Sequence, residues 1–250
     1  LIVKNYSGDV MNFDMAKDLA AMDDIEVRSI VVDDDIAVEN SLYTQGRRGV
    51  AGTVFMHKIL GAAADQGASL DEIEELAKVV LPHINTIGVA LSAATVPEVG
   101  KPGFVLADDE IEYGVGIHSE PGYRREKIKP SKDLAQELLS KIDESLKLSS
   151  DKKYAILVNG MGATPLMEQY IFSKDVLDWL GAKGIKPVFT KAGNYTAHGY
   201  TAAALAARFG AGWTRIDLIR AIIADCQAGD YPADAILFFF NDTATTETLK

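Results

Sequence analysis

Leu1-Ile2-Val3-Lys4-Asn5-Tyr6-Ser7-Gly8-Asp9 is an apolar run that breaks abruptly into a polar loop. A buried parallel strand that hands a loop to its carboxyl end reads this way. In open α/β sheets, ligands bind at that edge. Downstream, Asn12 can cap a helix with Phe13, Ala16, Leu19 and Ala20 on one face. Residues 25–32 read as the next strand, which ends in Asp33-Asp34-Asp35. Strand, helix and strand within this span predict a right-handed βαβ crossover, and hence an α/β protein.

The rest of the chain continues the alternation. A helix over 50–64 stops at Gly67, and Ser69-Leu70-Asp71-Glu72 is a capping box that opens another helix, with Pro82 beyond its end. A strand over 86–91 follows, which sets a first lobe at 1–84 and a second at 85–196. Each lobe is expected to be a β-sheet flanked by helices, with the site between strand-end loops. Pro97, Gly100, Pro102 and Gly103 make a stiff connection. After it comes Glu112-Tyr113-Gly114-Val115-Gly116-Ile117-His118-Ser119-Glu120-Pro121-Gly122. Ser131 is placed to cap a helix on which Leu134, Leu138, Ile142 and Leu146 recur every four residues. Residues 154–158 and 185–191 read as strands, and Pro165 starts a helix that Gly181 stops.

Composition narrows the function classes. The chain is 48% hydrophobic and 24% charged, in the ordinary range for a globular protein. Its net charge of −11 disfavours nucleic acid and anionic membrane surfaces as partners. The single cysteine, Cys226, cannot form an internal disulfide, which fits a reducing, cytoplasmic compartment.

His118 stands between Gly114 and Gly116 on one side and the Pro121-Gly122 turn on the other. An imidazole presented this way can act as a neutral nucleophile or base near pH 7, or be an idle loop histidine. Three adjacent carboxylates at 33–35 suit Mg²⁺, or else an ion-paired loop with Arg47 and Arg48. Those arginines precede a helix and could also receive a phosphate. Asn159-Gly160-Met161-Gly162-Ala163-Thr164 lies between a strand and a helix but lacks the Gly-Lys-Ser/Thr ending of a phosphate loop. Asp9 alone reads as a cap aspartate, and Lys4 as a lysine at a strand end. His57 and His83 read as structural.

Four stretches in order resemble the dihydroxyacetone kinase K subunit family: 4–9, 33–53, 96–102 and 112–122. The resemblance covers about residues 1–195. It implies that His118 holds dihydroxyacetone as a covalent hemiaminal and that Asp9 is the base for phosphoryl transfer. It also implies that Lys4, Gly8 and Gly116 contact the substrate and that the chain binds no metal. The wording is closer to the phosphoenolpyruvate-dependent bacterial branch. There the chain carries no cofactor, a nucleotide-bearing L subunit holds ADP and Mg, and a phosphocarrier protein acts indirectly; a homodimer is implied. Two alternatives stay open: a dihydroxyacetone-sensing transcriptional coactivator, and the K domain of an ATP-dependent glycerone kinase. The family's upstream Gly-Ser-Gly-His motif has no match here, so an N-terminal truncation and a weakly active or inactive chain are expected. Residues 197–250 leave the family pattern and are expected to be a non-native, divergent tail, with Ile236 to Phe240 an aggregation risk if exposed.

Overall fold

The structure, a computed structural model, describes residues 1–39, 44–92, 104–117, 120–161 and 164–196, together with the backbone of one strand at 233–241. β1 (Ile2–Lys4) and β2 (Ile30–Val32) pair in parallel with Val3 opposite Val31. α1 (Ser7–Met22) connects them. The β-α-β order read from the sequence is present, but its boundaries differ. α1 begins at Ser7 behind an extended Tyr6, so Asn12 is mid-helix and caps nothing. Asp9 then lies in the first turn, where a carboxylate suits the positive end of the helix dipole. β2 is shorter than residues 25–32, since only Ile30–Val32 pair with the three residues of β1; Arg28, just ahead of it, makes ion pairs with Glu26, Asp71 and Glu74.

A parallel bridge between Asp35 and Thr86 connects the end of β2 to β3 (Ile84–Ala90). The larger sheet also holds β4 (Glu110–Tyr113), β5 (Arg124–Lys127), β6 (Lys153–Gly160), β7 (Phe189–Asn194) and β8 (Ala233–Asn241). Its order is β5-β4-β3-β8-β6-β7. β8 runs parallel to β3 on one side and to β6 on the other, with Leu237 level with Thr86 and Leu157. The stretch that the sequence assigns to a divergent tail thus provides a central strand. The rest of the tail, residues 197–232 and 242–250, lies outside the described residues.

Period-two alternation along the strands sorts the core into two layers. Tyr154, Ile156 and Val158 of β6, with Ile87 and Val89 of β3, join one cluster. That cluster also takes in α4 (Ser131–Leu146) through Leu134, Leu138, Leu139 and Ile142, and α5 (Leu166–Ala182) through Phe172, Val176 and Leu180. Ala155 and Leu157 point the other way, onto α2 (Thr53–Asp65) and α3 (Leu70–Val80). The result is α/β, with helices on both faces of the sheet.

Local signals held in several places and failed in others. Ser69 and Glu72 form the reciprocal capping box. Ser131, by contrast, does not cap α4: Pro130 occupies that position and the Ser131 hydroxyl is buried without a partner. β7 starts at Phe189, four residues later than read, because Ile185 is pulled into the core from the preceding loop. Among the described residues, no helix is long and apolar enough to cross a membrane.

Candidate functional site

β4 and β5 form an antiparallel hairpin with Tyr113 level with Arg124, and the glycine-rich stretch is its connecting loop. Backbone bonds close the loop in stages. Tyr123 N–H donates to Tyr113 O at 2.9 Å, and Gly116 N–H to Glu120 O at 3.0 Å. The Glu112 carboxylate adds a third tie, accepting from Gly122 N–H at 2.8 Å and from Arg125 Nε at 2.8 Å. His118 and Ser119, between the closed ends, lie outside the described residues. Gly116 stands where a Cβ would overlap the Glu120 carboxylate, so a side chain there would displace that buried acid.

Two segments far apart in sequence are joined to this loop through Asn5 and Arg48. Lys4 ends β1, and Gly8 and Asp9 open α1. Burial draws the Lys4 ammonium below its usual range, against the attraction of Asp9 and Asp34. Asn5 then ties β1 to the Gly46-Arg47-Arg48-Gly49 loop: its amide donates to Gln45 O at 2.9 Å and Arg47 O at 2.6 Å, and its carbonyl accepts from Gly49 N–H at 3.1 Å. Arg48, 2% exposed, donates through Nε to Asp35 Oδ2 at 2.8 Å and through Nη2 to Gly114 O at 2.5 Å. Ile117 packs with Val50, Ala51 and Met161. The strand-end motif, the arginine loop and the glycine-rich loop therefore form one connected unit.

The acidic triplet has divided roles. Asp34 is buried and accepts from Val50 N–H at 2.8 Å, from Gly52 N–H at 2.6 Å and from the Thr86 hydroxyl. Burial raises its pKa, and those donors oppose the rise. Burial likewise raises Asp35 to about 6, with Arg48 pulling the other way. Asp33 is exposed and lines a cleft of about 450 Å³ with Asn5, Ser7, Thr44 and Gln45. The ion-paired loop is therefore what Asp35 and Arg48 form, and no group of three or more His, Cys, Asp or Glu placed for a metal occurs among the described residues. Contrary to the expectation from its place before a helix, Arg48 does not present its guanidinium to a phosphate, since that group is buried and committed to Asp35 and Gly114. Residues 162–163 of the second glycine loop lie outside the described residues; the Asn159 side chain beside it is spent on Tyr195 N–H and the Thr196 hydroxyl.

The family resemblance names His118, Asp9, Lys4, Gly8 and Gly116; the structure adds the hairpin, the loop ties made by Glu112 and Glu120, and the contact between Arg48 and Gly114. The one available signal for that contact was the arginine pair following an acidic triplet.

These features define an α/β protein whose candidate site is built from loops at strand ends, clasped by a buried Asp–Arg pair. The chain belongs to the Dak1 domain family, whose description matches residues 1–203. It is 69% identical over 195 residues to the PTS-dependent dihydroxyacetone kinase, dihydroxyacetone-binding subunit DhaK of Lactococcus lactis, covering 78% of this chain and 59% of that protein. It is 45% identical over 196 residues to the DhaKLM operon coactivator DhaQ of the same organism, covering 78% and 60%. A solved structure described as the dihydroxyacetone kinase operon co-activator Dha-DhaQ matches with a TM-score of 0.70 at 45% identity, over 77% of this chain and 60% of that one. The chain thus spans about three fifths of the length of these relatives.

Proposed function

We propose that this chain is the dihydroxyacetone-binding part of a dihydroxyacetone kinase fed by phosphoenolpyruvate through phosphocarrier proteins. The observation that carries the reading is the physical junction of the 4–9, 46–52 and 114–117 segments through Asn5, Asp35 and Arg48. The 69% identical relative, named as a PTS-dependent dihydroxyacetone-binding subunit, supports the same reading and the same branch.

In this account a ring nitrogen of His118 adds to the ketone carbon of dihydroxyacetone. A C–N bond forms, the carbonyl oxygen becomes a hydroxyl, and the proton lost by the imidazole balances the one it gains. Glycerol has no electrophilic carbon and is rejected by chemistry where size and hydrogen bonding discriminate weakly. Asp9 takes the proton from a terminal hydroxyl as that oxygen attacks the phosphoryl group in line. Lys4, Gly8 and Gly116 contact the sugar. The chain itself holds no cofactor: a nucleotide-bearing L subunit brings ADP and Mg and is recharged by a phosphocarrier. The protein works in the cytoplasm as a homodimer.

The test mixes the full-length protein with L subunit and phosphocarriers, and follows dihydroxyacetone phosphate together with the intact mass. His118→Ala should lose the adduct, and Asp9→Ala should keep it but lose phosphorylation. Normal turnover by Asp9→Ala would remove the assigned base. The similarity to the coactivator supports one alternative, a sensor of the same ketose. A sensor predicts an adduct with no phosphoryl transfer under any of these conditions.

A further inference from the structure

We infer that Arg48, oriented by Asp35, is a positioning residue for the ketone-binding loop: its buried guanidinium fixes the Gly114 carbonyl and thereby sets where the chain that leads to His118 begins. This rests on the reading of His118 given above.

A guanidinium that is 2% exposed needs its charge matched and its donors used. Asp35, fully buried, matches the charge, with Oδ2 2.8 Å from Arg48 Nε and 2.7 Å from Nη2. Asp35 is itself held, since its Oδ1 accepts from Ala37 N–H at 2.9 Å and its backbone N–H donates to Arg48 O at 3.0 Å. With the arginine so oriented, Nη2 reaches Gly114 O at 2.5 Å. Gly114 is fixed from its other side as well, its N–H donating to Gly88 O of β3 at 2.8 Å. Its φ of +74° suits glycine, and a Cβ would press on Ala37 and on the Tyr123 ring at 2.7 and 2.8 Å. Three residues on, Ile117 packs on Val50 and Ala51, the near neighbours of Arg48. The segment 48–51 thus grips 114–117 by a polar contact at one end and an apolar one at the other.

A well-packed apolar pair could fill this space with less desolvation than a buried ion pair. What such a pair could not do is aim a donor at one carbonyl. Capture of a carbonyl carbon depends on near-attack placement of the nucleophile, which makes a fixed loop base valuable to the chemistry. Lysine in place of Arg48 would keep the charge beside Asp35 but lose the planar fork that serves Asp35 and Gly114 together.

The experiment uses the full-length protein with Arg48→Lys and, separately, the double replacement Arg48→Ala with Asp35→Ala, which leaves no lone buried charge. Three quantities are read: the dihydroxyacetone concentration giving half-maximal mass adduct, the melting temperature, and hydrogen exchange of a peptide covering 112–123. Both variants should fold, need at least about tenfold more dihydroxyacetone for the adduct, and exchange faster in that peptide than wild type. A purely structural arginine would lower the melting temperature and leave the adduct midpoint of the folded protein within about twofold; that result in either folded variant overturns the inference. Absence of any adduct on wild type would overturn the ketone reading and this inference with it. A wild-type adduct with unaffected variants would overturn this inference alone.

Discussion

Asp34→Asn should destabilise the protein by an amount that the hydrogen bonds at that carboxylate set. The native side chain spends Oδ1 on Val50 N–H, and Oδ2 on Gly52 N–H and the Thr86 hydroxyl. The Thr86 hydroxyl can rotate and accept, but the two backbone N–H groups cannot. Asparagine has one oxygen, so in either orientation its amide nitrogen faces one of those donors. Losing a hydrogen bond to a charged acceptor costs ~1.5–3 kcal/mol, and a buried N–H left unpaired adds ~1–3 kcal/mol. Burial already holds the Asp34 carboxyl above its usual pKa, so the neutral amide recovers part of this through lower desolvation. The net loss should be ~2–4 kcal/mol, or a fall in Tm of roughly 5–15 °C for a chain of this length. Asp34→Ala strands both N–H groups and should cost more. Urea denaturation at pH 7, with thermal melts followed by circular dichroism, measures both variants. A loss below ~0.5 kcal/mol for Asp34→Asn, or the reverse order of the two variants, would show that this carboxylate does not clamp β2, β3 and the start of α2 together.

Other outcomes are expected elsewhere. In Gly116→Ala the new methyl group takes the place of the Glu120 carboxylate. Stability should fall by ~1–3 kcal/mol, and, on the proposed function, the dihydroxyacetone adduct should weaken more than it does in a surface control such as Lys132→Ala; intact-mass titration reads the difference. Leu138, 1% exposed at the centre of the α4 face, should cost ~2–5 kcal/mol when cut to alanine, as measured in urea. Partial burial raises the Glu137 carboxyl, but hydrogen bonds from Lys129, Arg124 and Tyr113 outweigh it and hold the group below its ordinary value. With the folded pKa depressed, its contribution is in place above about pH 4.3 and drains away as pH falls through the lower folded value. The protection of β5 amides, taken relative to the intrinsic exchange rate at each pH, should therefore fall on acidification below about pH 4, and Glu137→Gln should remove the part of that fall that this group causes.

What could be read from sequence was local. The Leu1 to Val3 run, the Ser69–Glu72 box and the four-residue leucine rhythm of α4 each carry their cause within a turn or two of chain. The hairpin behind the histidine loop was illegible because β5 is Arg-Arg-Glu-Lys, with none of the β-branched or aromatic residues that mark strands. Charge is what an edge strand uses to discourage further pairing, and β5 sits at the edge. The α1 start was misjudged for a different reason: Ser7-Gly8-Asp9 looks like a loop until the dipole at a helix N-terminus is considered. In the candidate site, Lys4 and Asp9 were visible as members of one short motif. The grip of Arg48 on Gly114 joins positions 66 apart, and no periodicity reports such a contact.

The middle of the large sheet is the last of it to leave the ribosome. Were the ribbon β5-β4-β3 and the pair β6-β7 to form before residues 233–241 arrive, each would show a bare row of N–H and C=O groups toward a gap about two strand spacings, ~10 Å, across. Ile84 must wait for Ala235, and Ala155 for the same residue. Zipping of so remote a strand is slow. During synthesis the two open seams are where a chaperone, or a wrong β-segment, would find purchase.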